Sequence, residues 1–225
     1  FADDLAATLP LGSAQSKALL KRVYQLALTD AMKTEHFGSH AQVTNSLLTT
    51  QGGYVKWGND FFIPSGQPTY DDALFYVVKN LRDAFGNEVG FTHDSYGLAV
   101  TQSTDEYSNT SSAQIDYRVL APAQMTDPNG NRQKASFDAR GMVTKTAVMG
   151  KDGDGDGDSL SDPTTTFQYD LFEWKDHSRP NYARRQMREE HQNSATRWLE
   201  TYTYTDGLGR ELLQKVKAEP GEAFI

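Results

Sequence analysis

Four aspartates, Asp154, Asp156, Asp158 and Asp162, occupy positions 1, 3, 5 and 9 of a loop-like stretch that begins DGDGDSLSD. Carboxylates at alternate positions of one loop are the oxygen set that EF-hand-type sites turn on calcium, so this stretch is the candidate metal site of the chain. It departs from that pattern in two places. Ser159 stands where the loop wants glycine, and Thr165 stands where a bidentate glutamate closes it. Counting from Asp152 restores a glycine, Gly157, at the sixth position but puts Pro163 at the twelfth. The competing reading is a solvated acidic linker. Calcium is the one cofactor considered; none other is expected.

The remaining chemistry-bearing residues point to packing. His36 and His40 are four apart, as two ligands on one helix face would be, but Gly38 lies between them and no third ligand is near. His93 alternates with Val89 and Phe91 and reads as a packed strand residue. Arg179, Arg184, Arg185 and Arg188 form the only basic cluster, and Glu189 and Glu190 follow at once, which describes a solvated strand face. With a net charge of −8 and a pI near 5.1, the chain has nothing to offset phosphate repulsion, so nucleic acid is not an expected partner. The absence of cysteine excludes disulfides, thiolate metal sites and a cysteine nucleophile. No Gly-x-Ser-x-Gly elbow, phosphate-binding loop or His-Glu-x-x-His motif occurs. The chain is therefore read as a non-enzyme. No apolar run reaches the roughly 20 residues of a membrane span. The sequence opens with FADDLAATLP, without an initiator methionine or signal peptide, and reads as a segment of a longer protein.

The elements that would position these residues change character along the chain. Residues 13–33 have the apolar spacing of a helix, with Ser13 as N-cap and Leu19, Leu20, Val23, Tyr24, Leu26, Ala27, Leu28 and Ala31 on a broad face. A second, short helix is expected over Ala41–Thr49. Residues 1–50 thus form a helical N-terminal segment. Residues 51–149 read as a β-meander, 150–165 as an acidic Gly/Asp loop, and 166–225 as further hairpins. In the last part Trp198, Tyr202 and Tyr204 fall on one strand face.

A repeat runs through the meander. Aspartate recurs at 83, 94, 105, 116, 127 and 138, always eleven residues apart. Glycine follows three residues later at Gly86, Gly97, Gly130 and Gly141, and asparagine stands at 87, 109 and 131, twenty-two apart. In DPNG (127–130) the aspartate caps the turn, Pro128 presets φ and Gly130 takes the left-handed position. Four turn residues leave seven for a strand, about 23 Å of extended chain. Units without glycine, DEYS and DYRV, are expected to make looser or wider connections. Strands this polar bury one face weakly and need neighbours on both sides, as repeat sheets do.

Tyr/Phe-Asp-x-x-Gly followed by a strand resembles the YD repeat, also called the Rhs repeat. FDARGMV, YTDGLGRELLQ and DPNGNRQKASFD resemble it closely. FYVVKNLRDAFGN, DYRVLAPAQMTDPNGN and DPTTTFQYDLFEW are similar to the middle-to-C-terminal region of the B component of insecticidal toxin complexes, proteins that are SpvB-like at their start. The resemblance covers about residues 50–225. It implies a mainly β fold, an antiparallel meander forming a curved open sheet with a small N-terminal helical part. It further implies a secreted structural shell, closed with a C component around an effector polypeptide and served by a pore-forming A component. The alternative is a YD-repeat module that recognises carbohydrate or a cell-surface partner through Trp198, Tyr202 and Tyr204.

Overall fold

The computed structural model describes residues 7, 9, 10, 12–17 and 19–218. They divide into two compact units, residues 1–110 and 111–225. Among the described residues, twelve of the fifteen strands stand in one sheet in the order they have in the chain, and its end strands, Gln67–Asp71 and Glu211–Val216, each have a single neighbour. The meander expected from the repeat is present and open.

The first unit begins with β1 (Tyr24–Leu28), α1 (Asp30–Phe37), α2 (Asn45–Thr50), β2 (Val55–Trp57) and β3 (Asp60–Pro64). The expected helix over 13–33 is not formed. The described residues of 13–23 are irregular, and Tyr24–Leu28 pairs antiparallel with β3, Leu26 opposite Phe62 and Tyr24 opposite Pro64. The alternative helix start is local. Thr29 is extended, and its side chain accepts a hydrogen bond from the Met32 N–H, so the helix begins at Asp30. The apolar residues upstream then gain a cross-strand partner that a helical face would lack. Tyr24, Trp57 and Phe62 stack at 4.5 and 5.0 Å on one side of this small sheet. Phe61, fully buried, meets Tyr54 edge-on at 6.5 Å. The second helix starts at Asn45 because Thr44 caps it through the Leu47 N–H. The same unit continues with β4 (Gln67–Asp71), β5 (Val77–Arg82), β6 (Glu88–His93) and β7 (Val100–Thr104), paired antiparallel in sequence.

The second unit holds β8 (Thr110–Asp116), β9 (Ala121–Thr126), β10 (Arg132–Phe137), β11 (Val143–Met149), β12 (Thr165–Asp170), β13 (Asn181–Arg188), β14 (Trp198–Thr205) and β15 (Glu211–Val216). Each pairs antiparallel with the next. A short helix unforeseen in the sequence, α3 (Glu173–His177), interrupts the β12–β13 connection and ends at Ser178 with φ of 55°. Among the described residues the buried apolar side chains are Leu48, Phe61 and Pro64 in the first unit and Ala147 and Pro163 in the second. The sheet is thus held by its ladders and by half-buried cross-strand pairs.

Candidate functional site

The repeated aspartates are built into turns by their own neighbours. Asp83, Asp105 and Asp127 each donate a backbone N–H to the carbonyl four residues on, at 2.9, 3.1 and 2.9 Å. Their Oδ1 atoms accept backbone N–H bonds from the residues two and four positions later, at 2.8 and 2.9 Å for Asp83 and the same pair of lengths for Asp105 and Asp127. Asn87, Asn109 and Asn131 complete the clamp, donating their side-chain amides to Oδ2 at 2.8, 2.8 and 2.9 Å. This is the role of the twenty-two-residue spacing. In an antiparallel meander alternate turns lie at the same edge, so Asp83 and Asp105 share one edge of the first unit and Asp94 lies at the other. Asp94 closes one residue wider, its N–H reaching the Ala99 carbonyl at 3.0 Å.

The two glycine-free units behave differently from one another. DEYS closes as tightly as the glycine-bearing turns, because Ser108 adopts φ of 65° in glycine's place and donates its N–H to the Asp105 carbonyl at 3.0 Å. The expected loosening is absent there. DYRV is wider, as expected: Asp116 pairs with Ala121, and Leu120 carries the positive φ of 52°.

The carboxylates of Asp83, Asp105, Asp127, Asp138 and Asp206 sit below their ordinary pKa. The Asn109 and Asn131 side chains are the chief cause at Asp105 and Asp127, and the Met142 and Arg210 backbone N–H groups at Asp138 and Asp206. At Asp83 desolvation pushes upward and is outweighed by Asn87 and three backbone donors. At Asp83, Asp105 and Asp127 both carboxylate oxygens are engaged by donors of the turn itself. The repeat aspartates are structural.

Antiparallel partners share a sheet face, so the register divides the second unit into two surfaces. One carries Gln114, Gln124 and Lys134, then Lys145, Thr166, Gln186 and Glu200. On that face Arg184 bonds Gln168 at 3.1 Å and pairs with Glu200 at 3.1 Å, and the Arg184 side chain is the main cause that lowers the Glu200 pKa. The opposite face carries Ala113, Met125, Gln133 and Val148, with Met187 opposite Leu199. Trp198, Tyr202 and Tyr204 do lie on one face, the polar one, and are half-buried within it. Tyr182 stacks on Tyr202 and Tyr204 at 5.8 and 5.9 Å, Lys215 lies over Tyr204 at 5.2 Å, and Arg188 lies over Trp198 at 5.5 Å.

The acidic stretch is divided by the fold. Asp154 and Asp156 are exposed, whereas Asp158 is buried. Asp158 accepts from the Arg188 guanidinium at 2.6 Å, the Gln192 N–H at 2.9 Å and the Thr164 hydroxyl at 2.6 Å, and contacts His191 Nδ1 at 2.6 Å. Desolvation would raise its pKa, but Thr164, Gln192, His191 and Arg188 together hold it down to about 2. The other arm of the Arg188 guanidinium donates to Asp162. Asp152 is drawn away to Arg132. Among the described residues no group of three or more His, Asp or Glu is placed to hold a metal ion. The basic cluster is also divided. Arg184 and Arg185 point to opposite faces, Arg179 is exposed, and Arg188 is buried rather than part of a solvated face. His36 ends α1 and His40 lies beyond the Gly38 cap; His93 is half-buried at the end of β6.

The sequence matches no family profile and no curated protein. Solved structures match the fold throughout. The crystal structure of TcdB2–TccC3 aligns over 93% of this chain with a TM-score of 0.71 and 19% identity. The Photorhabdus luminescens Tc holotoxin pore aligns over 97% with a TM-score of 0.76 and 14% identity, and TcdB2–TccC3 without its hypervariable C-terminal region over 95% with 0.70 and 15%. The chain spans 12% to 14% of the length of these chains. In fold, the chain is an open antiparallel meander similar to the parts of those toxin-complex structures with which it aligns.

Proposed function

We propose that the chain is a wall segment of a toxin-complex shell of the B-component type, which encloses an effector polypeptide before its translocation. The observation that carries this reading is the alignment of nearly the whole meander with the Tc structures, at TM-scores up to 0.76. Two features of the chain itself support it. The second unit buries two apolar side chains, Ala147 and Pro163, among its described residues, which suits a sheet that is stabilised by neighbouring strands. The face bearing Gln114, Gln124, Lys134 and Gln186 is polar, and a polar wall does not bind the apolar segments of an unfolded cargo.

The partners on this reading are a C component that completes the shell, the effector within it, and a pore-forming A component, in a secreted complex. The chain's work is mechanical, performed by turns and ladders rather than by a reacting group. The test is co-expression of the B protein containing this segment with a C component, followed by protease treatment of the purified complex. An effector that stays intact until the shell is opened is the expected result; an effector digested at the rate of the free polypeptide contradicts it.

A second reading, a carbohydrate-binding module, draws on a cavity of about 310 Å³ lined by Trp174, Pro180, Asn181, Thr205 and Leu212. Trp174 is 67% exposed there and offers a ring for stacking. A glycan array probed with the wild-type chain and Trp174→Ala separates the readings: glycan binding that Trp174→Ala abolishes favours the module.

A further inference from the structure

Residues 150–164 carry five aspartates and one basic residue, Lys151, yet part of this connection is buried. Carboxylates gathered out of water repel one another unless a cation stands among them. Here the cation comes from the chain. Arg188, at the end of β13, sends one guanidinium nitrogen to Asp158 at 2.6 Å and the other to Asp162, partners 30 and 26 residues earlier. Arg188 and Asp158 are each 4% exposed, and the Trp198 ring covers the guanidinium at 5.5 Å. The Arg188 N–H also donates to the Thr164 carbonyl at 3.0 Å, so backbone and side chain hold the same loop. Asp158 has four donors on its two oxygens, which fills the acceptor sites of a carboxylate.

We infer that Arg188 is the resident cation of this loop: its guanidinium fills, between Asp158 and Asp162, the place a divalent ion takes in a calcium loop of the same spacing. The sheet edge at the β11–β12 and β13–β14 connections is then closed by a side chain, and its closure is independent of metal. Two of the four aspartates whose spacing suggests calcium are spent on this pair. The geometry also defines a latent site. With the guanidinium removed, Asp158, Asp162 and the Thr164 hydroxyl surround a space that suits a hard divalent cation or a free guanidinium ion.

The experiment is hydrogen–deuterium exchange of the 225-residue chain, read at the amides of 150–164 and at Gln192. In the wild type these amides exchange at the same rate with and without millimolar calcium. In Arg188→Ala they exchange about tenfold faster or more. Calcium or low, non-denaturing guanidinium then restores much of the protection. Arg188→Lys falls between the two, because ammonium supplies the charge without the two-pronged geometry. Asp162→Asn, at a carboxylate that is 55% exposed, leaves the fold in place and speeds exchange in the loop alone. This variant decides the matter if Arg188→Ala does not fold. Wild-type protection that rises with calcium overturns the inference, as does a loop in Arg188→Ala or Asp162→Asn that remains as protected as in the wild type.

Discussion

The turns at Asp83, Asp105 and Asp127 and the connection over 150–164 are both acidic and both at the ends of strands. They close in opposite ways. Each repeat turn is complete within five residues: the aspartate, two backbone N–H groups and an asparagine amide satisfy one another. The longer connection is open to solvent at Asp154 and Asp156 and is closed across strands, chiefly where Asp158 meets residues 188, 191 and 192 of another hairpin. Local closure can be copied along a chain at fixed spacing. Closure across strands cannot, because it depends on which strand lies alongside. The first makes a wall extensible; the second fixes one corner of it.

The largest effect that would break this comparison is at Asp158. Asp158→Ala leaves the Arg188 guanidinium buried without its partner and should cost about 3–5 kcal/mol in denaturant unfolding. Asp154→Asn, four residues earlier in the same loop and exposed, should change stability by no more than about 0.5 kcal/mol. Equal effects would mean that the loop is held by its overall charge and not by one carboxylate.

Smaller effects belong to the turns. Gly130 has φ of 88°, where an added Cβ would stand 3.5 Å from the Lys151 side chain, so the cost of Gly130→Ala is conformational, about 1 kcal/mol. Ser108 holds the equivalent position at φ of 65°, and Ser108→Gly should stabilise the chain by up to about 1 kcal/mol. Thermal melting of the two variants checks the pair. A destabilising Ser108→Gly would show that the serine contributes something other than turn geometry.

Acid should affect both regions in the same direction and only at low pH. A carboxylate whose folded pKa lies below its unfolded value of about 3.9 stabilises the fold above that value. For Asp158 the contribution fades as pH falls from there through about 2. Asp105, Asp127, Asp138 and Asp206 are lowered too and follow the same sign. Amide protection at the turns and the loop should therefore be unchanged between pH 7 and about pH 5 and decline below about pH 4. Loss of protection near pH 6 would contradict the assignment to these aspartates.

How far the sequence discloses the fold follows the same division. The eleven-residue beat exposes the meander because every turn carries its donors and acceptors within itself. The fold gives the asparagines at 87, 109 and 131 their purpose, as clamps on the aspartates of alternate turns. The helical spacing of residues 13–33 misleads because Tyr24–Leu28 takes its structure from Phe61–Pro64, far along the chain. Arg188 looks like one of four surface arginines; its burial depends on Trp198 and on a loop 26 residues away. The metal-like spacing of Asp154, Asp156, Asp158 and Asp162 is visible in the sequence, but the guanidinium set between the last two is not.

The eleven-residue unit builds a sheet with two distinct faces and two distinct edges. Deleting residues 105–126 removes two strands and joins Thr104 to Asp127, so strand direction, edge and face are all preserved. Deleting residues 105–115 removes one strand, which reverses every later strand and exchanges the two faces of the sheet from there on. The direct measurement is protease protection of the effector by shells carrying either deletion. If the chain is the proposed shell segment, the 105–126 deletion retains protection and the 105–115 deletion loses it. Equal protection by both, or its loss in both, would contradict a wall built from this repeat.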